Sequence, residues 1–418
     1  MKKGYLSQYF KGVAIKKLSA VETDFKRSHQ HEFNGVSDLK NLFGKPENSI
    51  QIATNFLYLC DDDYDPVRDE GCLTWYDARS KARKERGIER SEYRLYYKCE
   101  SNLVMLCAAE NDLLVIALKP DGSVLVVIAE GESTISRQIQ WLFGAGVETH
   151  PGFSVRSEME TEQDRLTFAA RTILEYIGIE WLEEDTSFLE QMLSVFQGKF
   201  PSTRKFSEFT RAIVKDINAI DDPDSAIMAW MEKEEIMFRT LEKHLLSEQF
   251  QQIGLGVGSN SDQVISIVQS ALQRRKSRAG SALENHIEEV FCQHNVSYSR
   301  GAVTEVRRKP DFIMPNIEFY HNKDFPQYGL TMLASKATCK DRWRQILNEA
   351  QRIEQKHLLT LEPSISQNQT DEMQEHKVQL VIPVALHQTY LNVQRAQLMS
   401  VYEFLELVKY RQCDIALM

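Results

Sequence analysis

The feature that most constrains this chain is a change of hydrophobic rhythm near residue 150. Before it, short β-prone runs dominate: IQIATNFLYLC (50–60), LYYKC (95–99), NLVMLCAA (102–109), and the pair DLLVIAL and SVLVVIA. The last pair flanks KPDG, where Pro120, Asp121 and Gly122 supply turn chemistry, so 112–129 reads as a β-hairpin. From about 155 the apolar residues recur at three- and four-residue spacing, as in RLTFAARTILEYIGIEWLEE and FSEFTRAIVKDINAI, which predicts amphipathic helices. The final third alternates, with helices over 281–295, 341–356 and 399–410 and strands over 311–315, 330–336 and 378–384, the signature of an α/β domain. Two rhythms of this kind do not share one core, and 418 residues exceed what one core usually serves. Gly, Pro and Ser mark candidate breaks at 144–152, 198–203 and 254–262, the first being the preferred domain boundary.

Composition narrows the function classes. Hydrophobic residues at 42% and charged residues at 26% are those of a globular protein, which excludes a disordered or fibrous design. No apolar run approaches the ~18 residues needed to span a bilayer. The first twenty residues lack the apolar stretch of a signal peptide, so a cytoplasmic protein without membrane partners is expected. Seven scattered cysteines with no C-x-x-C pair point to free thiols rather than a disulfide framework or a zinc site. A net charge of −10 opposes DNA binding overall, because phosphate neutralisation supplies most non-specific affinity. Only a compact basic patch can act on such a protein, since screening isolates surface charges more than about 10 Å apart at 0.1 M salt.

Three residues of the α/β region carry candidate chemistry: Asp311 in RKPDFIMP, Lys336 ending LTMLASK, and Glu349 in DRWRQILNEA. Cutting a phosphodiester calls for carboxylates to hold a divalent metal and a cation beside the attacked phosphate. Asp311 opens one strand and Lys336 ends another, so adjacent strands would set them side by side. The common nuclease pattern has an acid two residues before the lysine, but position 334 is alanine. Glu349 is the substitute donor, because on a helix starting near Asp341 it shares a face with Arg342 and Gln345, opposite the apolar Trp343, Ile346, Leu347 and Ala350. Taken alone, each of these short motifs also fits a purely structural role.

The stretches QRRKSRAGSALENHIEEVF (273–291), KPDFIMP (309–315), SKATCKDRWRQILNEAQRIEQKHLLTL (335–361) and VQLVIPVALH (378–387) together resemble the catalytic domain of the EcoRII-like restriction endonucleases. These belong to the PD-(D/E)XK nuclease superfamily. In this branch the second carboxylate follows the lysine with twelve residues between, as Glu349 follows Lys336, which accounts for Ala334. The resemblance implies that Asp311 and Glu349 are ligands of Mg²⁺ and that Lys336 is the catalytic lysine. It matches Tyr320 to a tyrosine near the active site, although a core aromatic is the alternative. It also makes Lys340, Asp341 and Arg342 the triplet that reads outer G·C pairs of a CC/GG site. Cationic donors suit guanine O6 and N7, and a carboxylate suits cytosine N4. The alternative for the triplet is a helix N-terminus capped by Asp341.

Two basic segments complete the reading. Arg274, Arg275, Lys276 and Arg278 are the densest cationic cluster and suggest phosphate gripping, the alternative being a solvated helix end. The mixed-charge run 79–94, holding Lys81, Arg83, Glu85 and Arg86, reads as an ion-paired surface segment or, by resemblance, as a DNA-reading element. HQHEF (29–33), FLYLC (56–60) and WYDAR (75–79) fall in comparable order around it. The expected organisation is a mostly β DNA-binding pseudobarrel over 1–148, a helical linker region over 149–196, and an α/β PD-(D/E)XK endonuclease domain over 197–418. The function implied is a type IIE restriction endonuclease. It would act on double-stranded DNA as a homodimer, with an effector copy of its site on the first domain and a cytosine methyltransferase as functional partner. The rival readings are a methylation-sensing nuclease on the same scaffold, a two-domain DNA-binding regulator that does not cut, and a metabolic enzyme or adaptor.

Overall fold

A computed structural model describes residues 2, 4–23, 31–34, 36–61, 66–81, 85, 91–97, 102–144, 152–181, 186–253, 261–338 and 340–416. The chain forms two compact units, Met1–Trp181 with Ser364–Ser366 and Leu182–Pro363 with Gln367–Met418. The preferred boundary near 148 lies outside the described residues.

The first unit is built on eight strands: β1 (Gly12–Lys17), β2 (Glu32–Phe33), β3 (Ile50–Leu59), β4 (Val67–Asp77), β5 (Tyr93–Tyr97), β6 (Leu113–Leu118), β7 (Val124–Ala129) and β8 (Ser154–Arg156). They lie in the order β2-β5-β4-β3-β7-β6-β1-β8, and only the β3/β7 pair is parallel. The predicted hairpin is β6/β7, with Leu118 opposite Val124 and Gly122 in the left-handed turn position, φ 88°. Its residues are apolar on both faces because both faces are covered. Leu113, Val115 and Ala117 join Ile139 and Phe143 of helix α1 (Thr134–Phe143) and Ile173 and Leu174 of helix α2 (Phe168–Tyr176). Leu114 and Ile116 face Phe56, Trp75, Leu95 and Tyr97. The run NLVMLCAA, expected to be β-prone, is instead helical over Leu103–Cys107, because the Asn102 side chain accepts from the amides of Val104 and Met105 and starts a helix. Strand β8 extends this sheet past 148, so the start of the expected linker belongs to the first unit.

The second unit opens with helices α3 (Leu189–Phe196), α4 (Thr203–Ile213), α5 (Pro223–Ile253) and α6 (Ser261–Gln293). A small core of Met192, Phe206, Met237, Phe238 and Leu241 joins the first three. Its sheet comprises β9 (Ser299–Arg300), β10 (Phe312–Met314), β11 (Thr331–Lys336), β12 (Lys356–Thr360) and β13 (Val378–Val381), in the order β13-β12-β11-β10-β9. Strands β9 to β11 pair antiparallel, β11 to β13 parallel. Helices α7 (Gln367–Glu375) and α8 (Val401–Ala416) complete the unit.

The helix predicted over 341–356 is a 3-10 helix, Lys340–Asn348, followed by a turn and then β12. Trp343, Ile346 and Ala350 are buried as their spacing implied, but Ala350 takes the left-handed conformation, φ 47°, and the helix cannot continue through it. The buried Lys356 then donates to the carbonyl oxygens of Ala350 and Ile353, which fixes the turn. None of the described cysteines 60, 72, 107, 292 and 413 forms a disulfide, and no described helix is long and apolar enough to cross a membrane.

Candidate active site

The candidate centre lies where β10 and β11 run side by side. Their register sets Phe312 opposite Leu333, so Asp311, just before β10, meets the last residues of β11. Two groups converge on one oxygen of its carboxylate, Oδ2: the Ser335 amide at 2.7 Å and the Lys336 ammonium at 3.0 Å. The buried alternate residues Phe312 and Met314 anchor β10, and the buried Pro310 precedes it. The carboxylate is therefore held by backbone geometry rather than by a flexible loop.

Glu349 stands one residue past the 3-10 helix and is half-buried. Its carboxyl is pushed up to about 7, first by burial and then by the negative charge of Asp311; Lys336, Arg308 and Lys356 oppose the rise. Glu284 on α6 is also raised by burial and by Asp311, and is opposed by Arg300, its 2.9 Å ion-pair partner, and by Lys336. Glu349 and Glu284 thus both feel the charge of Asp311, and Lys336 opposes it at each. Glu284 sits within ALENHIEEVF, where nothing in the sequence distinguishes it from the neighbouring surface acids Glu288 and Glu289. Lys356 was missed for another reason, since it lies inside a segment whose spacing read as helix. Burial pulls its ammonium down to about 8, against the pull of Glu305 and Glu349.

No three His, Cys, Asp or Glu side chains among the described residues are gathered closely enough to hold a metal by themselves. The donor chemistry nevertheless fits a divalent cation. Among the described residues both hydrogen bonds to the Asp311 carboxylate fall on Oδ2 and none on Oδ1, and Glu349 is a half-buried carboxylate whose ionisation Asp311 disfavours. A divalent cation between two such acids would relieve that repulsion.

The other expected residues fall elsewhere. Tyr320 is fully buried, and its hydroxyl lies 2.6 Å from both oxygens of Glu305. The Arg352 amide donates to it as well, so it belongs to the packing beside the centre and makes no contact with Asp311 or Lys336. The backbone of Lys340, Asp341 and Arg342 begins the 3-10 helix that follows β11, while their side chains lie outside the described residues.

The cluster read as a phosphate grip sits within α6 rather than ahead of a helix, and its arginines turn toward α5. Arg275 binds Glu242 at 2.5 Å, Arg274 lies 4.0 Å from the same acid and 3.8 Å from the Phe200 ring, and Arg278 binds the buried Glu234. Arg278 itself is 5% exposed. These three arginines are engaged in helix packing, and the side chain of Lys276 lies outside the described residues. In the first unit Lys81 and Glu85 are exposed, whereas Arg83 and Arg86 lie outside the described residues. The flanking Arg79 and Arg94 both pair with Glu92.

Comparison with known proteins gives this arrangement a context. Residues 238–405 match the family model described as EcoRII C terminal, a span that runs from within α5 to α8 and includes Asp311, Lys336 and Glu349. The type II restriction enzyme EcoRII of Escherichia coli is 41% identical over 210 residues, which is 50% of this chain and 50% of that protein. The chain therefore spans about half the length of the curated relative it matches. Two solved structures are also similar. Metal-depleted Ecl18kI in complex with uncleaved DNA is 17% identical with a TM-score of 0.42, over 54% of this chain and 83% of that one. A restriction endonuclease PspGI–substrate DNA complex is 14% identical with a TM-score of 0.41, over 51% and 93%. The matched stretch is a mixed α/β unit, and its candidate centre lies at the end of its central strand β11.

Proposed function

We propose that this chain is a type II restriction endonuclease that hydrolyses double-stranded DNA at a short CC/GG-type site with Mg²⁺ as cofactor. The observation that supports the reading is the Lys336–Asp311 ion pair, with Glu349 near enough to feel both charges, within the stretch that matches the EcoRII C-terminal family model. Asp311 Oδ1 and the Glu349 carboxylate would hold Mg²⁺, which when bound neutralises charge at the scissile phosphate and supplies an acidified water. Lys336, oriented by its bond to Asp311, offsets the negative charge that builds on the phosphate as the bond to the 3′ oxygen breaks. The product carries a 5′ phosphate. Lys340, Asp341 and Arg342, on the element that links Lys336 to Glu349, read the outer G·C pairs.

The wider assignment is type IIE. In this reading the first unit binds an effector copy of the site through the segment containing Lys81, Arg83, Glu85 and Arg86. Two catalytic domains pair so that each cuts one strand of a nearly palindromic site. A cytosine methyltransferase protects the host's own sites. The test is incubation of purified protein with unmethylated plasmid and Mg²⁺, beside Lys336→Ala and an EDTA control. Discrete fragments that vanish in both controls are expected. Intact plasmid, even with added CC/GG duplexes and with methylated DNA, would instead favour a two-domain DNA-binding regulator.

A further inference from the structure

The arginine cluster most conspicuous in the sequence is occupied with α5, so a nuclease built on this unit needs its phosphate contacts from elsewhere. Most arginines of the sheet region are occupied too. Arg300 pairs with Glu284 and Glu288, and Arg344 with Glu372. Arg352 donates to the carbonyls of Phe319, Tyr320, Asn322 and Phe325. Arg395 and Arg411 likewise donate to backbone oxygens. The three residues before the Pro310-Asp311 pair differ. Arg307, Arg308 and Lys309 are all exposed, and none has an ion-pair or hydrogen-bond partner for its side chain among the described residues.

The loop that presents them is firmly mounted. The Thr304 amide and hydroxyl donate to the Arg308 carbonyl at 2.9 and 3.3 Å, the Arg308 amide donates to Glu305 at 3.1 Å, and the Gly301 amide donates to Asp311 at 2.9 Å. Glu305, in the same loop, accepts from the buried Tyr320. Arg307 holds the left-handed conformation, φ 58°, where glycine would be the unstrained residue. A strained backbone position that keeps a long cation instead of glycine is a feature of functional loops. Arg308 is close enough for its charge to act on Glu349.

We infer that Arg307, Arg308 and Lys309 form a phosphate clamp that grips the DNA backbone beside the bond to be cut. Three cations on a rigid loop one proline away from Asp311 would fix the register of the strand without reading its bases. They also answer the difficulty of the −10 net charge, since the attraction is supplied locally. This rests on the nuclease reading above and adds the site by which the substrate backbone is held.

The test is the salt dependence of binding by the full chain, measured in EDTA on a fluorescent CC/GG duplex and on an unrelated duplex of equal length. Arg307→Gly removes a charge while relieving the backbone, so it is expected to fold. Arg308→Ala and Lys309→Ala complete the set, and Lys409→Ala on α8, whose ammonium pairs with Glu406, is the control. Each clamp substitution is expected to lower the slope of log affinity against log salt by about 0.9, equally on both duplexes, with the control unchanged. If the wild type binds with a steep slope and the triple variant keeps that slope, the clamp is refuted and the nuclease reading stands. If the wild type binds neither duplex, both fall.

Discussion

The charge of Asp311 disfavours ionisation of Glu349, and among the described residues Lys336 is the cation that pairs with Asp311. Removing that ammonium leaves Asp311 without its ion-pair partner and, in the nuclease reading, the scissile phosphate without its donor. Lys336→Ala is therefore expected to slow single-turnover cleavage by at least ~10²-fold. Duplex affinity in EDTA should stay close to that of the wild type, since phosphate binding is shared with other cations. A variant that cuts at the normal rate would remove Lys336 from the chemistry. A different titrating residue bears on stability. His357, on β12, is fully buried against the Phe404 ring with centroids 5.2 Å apart, and burial, helped by Arg411, pulls it down to about 4. The unfolded value lies near 6.5. Between those values the unfolded chain binds the extra proton, so stability falls as pH falls through that window, by up to about 3 kcal/mol at its acid end. His357→Leu is expected to lose less of its urea midpoint between pH 7.5 and pH 5 than the wild type does. Equal losses would place the acid sensitivity elsewhere, for instance at His286, which burial also lowers.

At the scale of elements, the seam between α5 and α6 is where sequence and structure part most sharply. Arg278 and Glu234 are 44 residues apart on different helices, and His286 adds a 2.9 Å contact to the same acid. A run of arginines advertises charge, but no local pattern says which distant acid will absorb it. Arg278→Ala should strand a buried carboxylate and destabilise the protein by roughly 3–5 kcal/mol, while Arg278→Met with Glu234→Leu should recover most of that. Denaturant midpoints decide it, and a mild effect of the single substitution would return Arg278 to the DNA-contact reading. Elements whose signals are local were legible. The β6/β7 hairpin follows from its turn residues between two continuous apolar runs, and the Asp311–Lys336 meeting follows from two strand ends. The strand β12 was not legible, because KHLLT continues a helical spacing that only the left-handed Ala350 interrupts. Glu284 was not legible either, because its distinction is the company it keeps in space.

For the whole molecule, the EcoRII C-terminal match covers the part of the second unit that holds the candidate site and leaves the first unit to be argued from its own construction. That unit has an eight-stranded sheet with a hydrophobic cluster on each face, which makes it a complete folded body rather than an extension. A body of that size, with Lys81 and Glu85 exposed, suits a second DNA site, and restraint of cleavage by such a site has a kinetic consequence. If only an effector-bound population cuts, the rate on a plasmid with one site is limited by the fraction of chains so bound, and free duplex raises that fraction. Short unmethylated CC/GG duplexes are therefore expected to accelerate cleavage of a single-site plasmid until they compete at the catalytic domain, giving a rate that rises and then falls with duplex concentration. Lys81→Glu places a negative charge in the reading segment and should shift the rising limb to higher concentration. The falling limb belongs to the second unit and should hold its place. A rate that only declines with added duplex would mean that the first unit exerts no such control, and its sheet would then have to be explained by a different partner.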